Sequence, residues 1–157
     1  MIAYLPFGDW SYDGHGRCDY VPVAITSFEQ ISEAQNRIRE KYGRYFFYDF
    51  ANEAWEPCFS EDVWNALLEN EMPIEFLKKY EDNNSWDDIN SLDDLRAYLK
   101  EDPRPCLSID FVEQAFIWLL NEFGAKITIL PDKDLIPCIT MHTCPGFENV
   151  GYGCWDD

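Results

Sequence analysis

An α+β fold is predicted by three features of the chain. Strand-like apolar runs gather near its two ends, at Met1 to Phe7, Cys18 to Ile25, Lys126 to Leu130, Leu135 to Met141 and Phe147 to Trp155. The segments between carry apolar residues every three or four positions, the spacing of one helix face. No regular strand–helix alternation and no internal repeat runs through the chain. An antiparallel or mixed sheet from the N- and C-terminal strands, packed by helices, is therefore favoured over a doubly wound one. At 157 residues the length predicts a single domain over 1–157.

The elements follow in order. Met1 to Phe7 and Cys18 to Ile25 read as the arms of a hairpin whose tip holds Asp13-Gly14, a two-residue turn signal. Pro22 moves the second arm toward a sheet edge or a bulge. Ser27 is a predicted N-cap with Gln30 as its capping-box partner. Phe28, Ile31, Ala34, Ile38 and Tyr42 then mark one face of a helix that Gly43 ends. Tyr45 to Phe50 is aromatic and short, which favours a strand. Ser60 caps the next helix, with Glu61 and Asp62 in its first turn and Val63, Trp64, Leu67 and Leu68 as its apolar side. Pro73 opens a short helix through Phe76, Leu77 and Tyr80. A polar loop from Glu81 to Asn90 is anchored by Trp86 and Ile89. Ser91 and Asp94 repeat the capping-box pattern before Leu92, Leu95, Tyr98 and Leu99. From Ser108 or Asp110 to Gly124 the chain is apolar on nearly every side, which predicts a central helix packed across a sheet face. Pro131 to Asp134 is the turn-prone loop between the next two strands.

Composition limits the function. Apolar residues make up 46% and aromatic residues 17% of the chain, too much for a disordered acidic polymer. The net charge of −18 argues against direct nucleic-acid binding, which needs clustered Lys and Arg, and against anionic membrane surfaces. No apolar stretch of about 20 residues offers a membrane span. Six cysteines permit disulfides, but the N-terminal residues lack a signal-peptide pattern, so a cytoplasmic chain with reduced thiols is expected.

The charge is uneven. Residues 49–113 hold eighteen acids and five bases, a net of −13, which defines an acidic helical region. Adjacent acids recur at Glu81-Asp82, Asp87-Asp88, Asp93-Asp94 and Glu101-Asp102, and Arg96 and Lys100 are the bases between 81 and 102. The six carboxylates of the first three pairs, which are spaced six residues apart, are the candidate partner-binding residues. Such a field steers a basic protein surface toward it and imitates the phosphates such a surface binds. The plainer reading is helix N-terminal carboxylates and a solvated face.

Two further clusters carry chemistry-bearing groups. Asp9, Trp10, Asp13 and His15 share the predicted hairpin tip and could bind a ligand or a divalent cation; Asp and Gly are also what a turn requires. Cys138, His142 and Cys144 are weak zinc candidates, because C-x3-H-x-C lacks the C-x2-C knuckle. Nucleotide-loop, nucleophile-elbow and zinc-helix signatures are missing. No catalytic residue and no cofactor are assigned.

The opening Gly8-Asp9-Trp10-Ser11-Tyr12-Asp13-Gly14-His15-Gly16 resembles a group of small proteins of gut bacteria and their phages or mobile elements. Its members begin with G-D-W-S-x-D-G-H-G after a short strand and end on an aromatic, glycine-containing strand, here Gly151-Tyr152-Gly153. The resemblance implies a bacterial or phage-borne cytoplasmic protein and assigns no activity. The expected function is a non-enzymatic inhibitor, of an anti-defence or immunity type, that docks its acidic region on a basic protein. The alternative is a small-molecule- or metal-binding protein, or an enzyme, using the hairpin tip. A third reading, an adaptor with an aromatic patch, requires Trp10, Trp86 or Trp155 to be exposed.

Overall fold

The computed structural model describes residues 1–9, 17–47, 58–81, 86–130 and 150–152. Two eight-residue strands, β1 (Ile2–Asp9) and β2 (Arg17–Ala24), form the N-terminal hairpin arms. Five helices follow among the described residues: α1 (Phe28–Tyr42), α2 (Glu61–Glu69), α3 (Glu75–Tyr80), α4 (Leu92–Glu101) and α5 (Ile109–Glu122). Short strands β3 (Thr128–Ile129) and β4 (Val150–Tyr152) complete a sheet of order β3-β2-β1-β4. The first three strands in that order are antiparallel neighbours and β4 runs parallel to β1. The fold is α+β with a mixed sheet drawn from both ends of the chain.

Register explains which residues face inward. Met1 and Ile25 exchange hydrogen bonds, the terminal ammonium donating to Ile25 O at 2.7 Å and Ile25 N to Met1 O at 2.9 Å. Alternation from that pair places Ala3, Leu5, Val21, Val23 and Ile25 on one face, and all five are buried. The same parity turns the backbone of Pro22 toward β3. β2 is an inner strand there, not the expected edge. The proline is tolerated because the β2–β3 register covers only Val23 and Ala24, and Pro22 O still accepts from Leu130 N at 3.0 Å.

The three serine caps predicted at Ser27, Ser60 and Ser91 form, accepting from the backbone N–H of Gln30, Val63 and Asp94, and Ser108 accepts likewise from Phe111. At α1 only half of the predicted box forms: Ser27 accepts from Gln30 N at 3.3 Å, while Gln30 Oε1 is buried and makes no hydrogen bond. Gly43 and Gly124, at φ 114° and 100°, end α1 and α5 in conformations that a side chain resists.

The predicted strand at Tyr45 to Phe50 is not one over its described part. Residues 44–47 form a turn in which Phe46 N donates to Gly43 O at 3.2 Å. A strand would send adjacent side chains to opposite faces. The turn instead buries both Phe46 and Phe47, the first stacked on Tyr42 at 5.3 Å and the second edge-on to Phe116 at 5.6 Å. The strand expected over 126–130 shrinks to Thr128–Ile129, and the one at 135–141 lies outside the described residues.

One continuous hydrophobic cluster joins the inner sheet face to the helices. α5 is its centre: Phe111, Val112, Ala115, Phe116, Leu119 and Leu120 are all at 0% exposure. Its nearest helical neighbours are α1 and α3, and its side chains share the cluster with Leu5, Val21 and Val23. Arg37 on α1 donates to Phe123 O at 3.0 Å, setting a cation at the end of α5. Among the described residues no helix is long and apolar enough to cross a membrane, and neither Cys58 nor Cys106 is in a disulfide.

Candidate functional site

The acidic region occupies α2, α3, α4, their connections and the start of α5. Its carboxylates divide into those that hold the fold and those that face water.

Glu81 belongs to the first group. It follows α3, and its Oε1 accepts from Ser108 N at 2.7 Å. Ser108 Oγ donates to Tyr80 O at 2.7 Å while accepting from Phe111 N at 3.1 Å. The carboxylate thereby joins the end of α3 to the start of α5. Asp94 is engaged locally as well. Its carboxylate accepts from Asn90 N at 3.1 Å while its own N–H is capped by Ser91 Oγ at 3.1 Å. The Ser91 hydroxyl, the larger contributor, and the Asn90 N–H, each bonding to the carboxylate, hold its pKa below the ordinary aspartate value of 3.8.

A carboxylate whose pKa is depressed on folding contributes stability above its unfolded value and loses it as pH falls through the folded one. Asp94→Asn is therefore expected to be less stable than wild type at neutral pH, with the gap closing below pH 3.8. Thermal unfolding across that range is the check. A gap that stays constant would mean that the loss does not arise from the charge of the carboxylate.

The other predicted acids are open to solvent or undescribed. Asp87 and Asp88 are exposed in the turn after Trp86. Asp93 is exposed and paired with Arg96 at 2.7 Å. Asp82 lies outside the described residues. Of the six candidates, two are engaged as acceptors of backbone N–H groups and one is ion-paired. Exposed acids of the region beyond these six are Glu61, Asp62, Glu69, Glu71, Glu75, Glu101, Asp102 and Asp110.

Of the predicted tip cluster, Asp9 ends β1, in register with Arg17 and Tyr152. Trp10, Asp13 and His15 lie outside the described residues, as do Cys138, His142 and Cys144. Among the described residues no group of three metal-ligating side chains occurs. Trp86 is buried at 2% exposure against Tyr98, their rings 5.0 Å apart, and so is lost to any aromatic docking patch. Trp10 and Trp155 are outside the described residues.

A feature that the sequence does not reveal lies between two of the acidic helices. α2 and α4 line a half-open groove of about 620 Å³. Its floor is Trp64 and Leu68, both buried, with Leu99 half-buried beside Pro103. Trp64 is wedged between Phe59 at 5.1 Å and Phe111 at 6.2 Å. The α2 rim bears Glu61, Asn65 and Glu69; the α4 rim bears Arg96 and Lys100. Helical spacing places each set on one face: 61, 65 and 69 on α2, 96 and 100 on α4. Periodicity assigns Trp64, Leu68 and Leu99 to the apolar stripes but does not tell that the two stripes flank open space.

Two rim charges are already engaged. Glu69 receives Lys41 Nζ at 3.0 Å and the Tyr42 hydroxyl at 2.9 Å, and Tyr42 accepts from Asn70 Nδ2 at 2.7 Å. The hydrogen bonds from Lys41, then Tyr42, lower the Glu69 pKa; those to Tyr42 and Glu69 raise that of Lys41. This cluster ties the end of α1 to the end of α2. Arg96 is taken by Asp93.

Comparison of the chain with family models, with curated proteins and with solved structures returned no match.

Proposed function

We propose that this protein is a non-enzymatic binder that docks its acidic helical surface on a basic protein and blocks the site that surface serves. One observation carries the reading. Between residues 58 and 113, twelve carboxylate side chains among the described residues are exposed, against five exposed bases. A partner that normally holds phosphates presents clustered Lys and Arg, the complement of such a surface. Like-charge repulsion excludes acidic proteins from the same face. The opening motif's resemblance to phage and mobile-element proteins is consistent with an anti-defence role.

The test compares variants of equal charge. Asp87→Lys/Asp88→Lys and Glu29→Lys/Glu40→Lys change the net charge identically, the first in the acidic region and the second on α1. Affinity capture at about 50 mM and about 500 mM salt, where screening lengths differ severalfold, is expected to retain a basic partner on wild type and on the α1 variant at low salt. The Asp87/Asp88 variant is expected to lose it, and high salt to release it. A partner held equally by all three proteins, or held regardless of salt, would falsify docking through this surface.

A further inference from the structure

We propose that the groove between α2 and α4 binds a short zwitterionic peptide, with Glu61 facing its ammonium, Lys100 its carboxylate and Trp64 beneath its apolar side chains. The site shares Glu61 with the exposed acidic surface, yet it is tested by a different ligand and stands or falls independently of the docking reading.

The volume sets the size class. A groove of about 620 Å³ falls within the roughly 300–1,000 Å³ of small-molecule sites. The rims set the charge pattern. With Glu69 held by Lys41 and Tyr42, and Arg96 held by Asp93, Glu61 and Lys100 remain without an ion pair among the described residues. They stand on different helices, one acid and one base. A simple anion would meet Lys100 but enter against the field of a chain of net charge −18. A simple cation would meet Glu61 and leave Lys100 opposed to it. A ligand carrying both charges on separate ends satisfies each rim and brings no net charge into the groove.

The floor sets the body of the ligand. Trp64 and Leu68 are the largest apolar groups there, and Trp64 is only 2% exposed. Asn65 on the same rim offers both an amide donor and an acceptor for the peptide link. An extended chain advances about 3.3–3.6 Å per residue. Two or three residues therefore place a charged terminus at each end of a body about 7–11 Å long.

The experiment titrates the full-length ¹⁵N-labelled protein with alanyl-phenylalanine, its N-acetyl form and its C-terminal amide. It follows the indole N–H signal of Trp64, assigned with Trp64→Phe, and the Asn65 side-chain amide. The free dipeptide is expected to shift both signals saturably, and each blocked form to bind at least about tenfold more weakly. Lys100→Glu is expected to weaken the free dipeptide by a similar factor without affecting the amide form, and Glu61→Lys to spare the acetyl form. Unchanged signals elsewhere in the spectrum show that each variant is folded. The proposal is overturned if millimolar dipeptide moves neither signal, if blocked and free forms bind alike, or if neither charge reversal matters. Tighter binding by a doubly blocked peptide would also overturn it, since the groove would then serve an internal segment of a protein partner.

Discussion

Phe116→Ala is expected to remove about 3–5 kcal/mol of stability, the range for deleting a fully buried aromatic side chain, against a total of about 5–15 kcal/mol for a domain. The physical reason is its place on α5. It is at 0% exposure and meets Phe47 edge-on at 5.6 Å, a geometry that adds about 0.5–1.5 kcal/mol beyond burial. Phe47 reaches that position because the turn after α1 sends it inward, so the substitution also loosens the link between α1 and α5. Trp118 on the same helix supplies the contrast. It is half-buried and meets only Phe76 among the described rings, at 6.5 Å. Trp118→Ala is expected to cost less, because its surroundings can relax into the space. Denaturant midpoints for the two variants at equal m-values are the measurement. Equal losses would mean that the Trp118 face of α5 is packed as tightly as the Phe116 face.

The second large effect is expected at Glu81. Replacing it by alanine leaves Ser108 N without its 2.7 Å acceptor, and a hydrogen bond to a charged group is worth about 1.5–3 kcal/mol. Asp87→Ala, at an exposed turn position with no such bond, is expected to stay within about 0.5 kcal/mol of wild type. Ser108→Ala removes two bonds of the same junction and is expected to cost about 1–2 kcal/mol, as for other helix caps. Because the residues share one junction, the double variant should depart from additivity by at least about 0.5 kcal/mol. Unfolding free energies decide between roles. If Glu81→Ala is as stable as Asp87→Ala and instead weakens partner capture, Glu81 belongs to the docking surface and not to the α3–α5 junction.

These two carboxylates show where sequence reading stops. Glu81 and Asp87 occupy equivalent places in a run of adjacent acids, and nothing local separates them. The distinction is made by Ser108, 27 residues further on, whose backbone N–H needs an acceptor at the start of α5. Asp94 is easier to read, because its partners lie within four residues, Ser91 before it and the first turn of α4 around it. The groove is legible only in parts. Spacing puts Trp64 and Leu68 on one side of α2 and Leu99 on one side of α4, yet a stripe that packs and a stripe that borders a groove look alike in sequence.

By itself the sequence determined the α+β class, the positions of the five described helices with three of their serine caps, the buried character of α5 and the acidity of the middle region. Each of these is written in residues within a few positions of one another, where spacing, caps and side-chain chemistry act directly on the backbone. Tertiary structure alone decided that Phe46 and Phe47 turn inward together, that Pro22 lies on an inner strand, that Glu81 serves as a helix-joining acceptor, and that α2 and α4 stand apart around a groove. Those outcomes depend on groups far apart in the chain competing for the same core space and the same hydrogen bonds, a competition that no local pattern records.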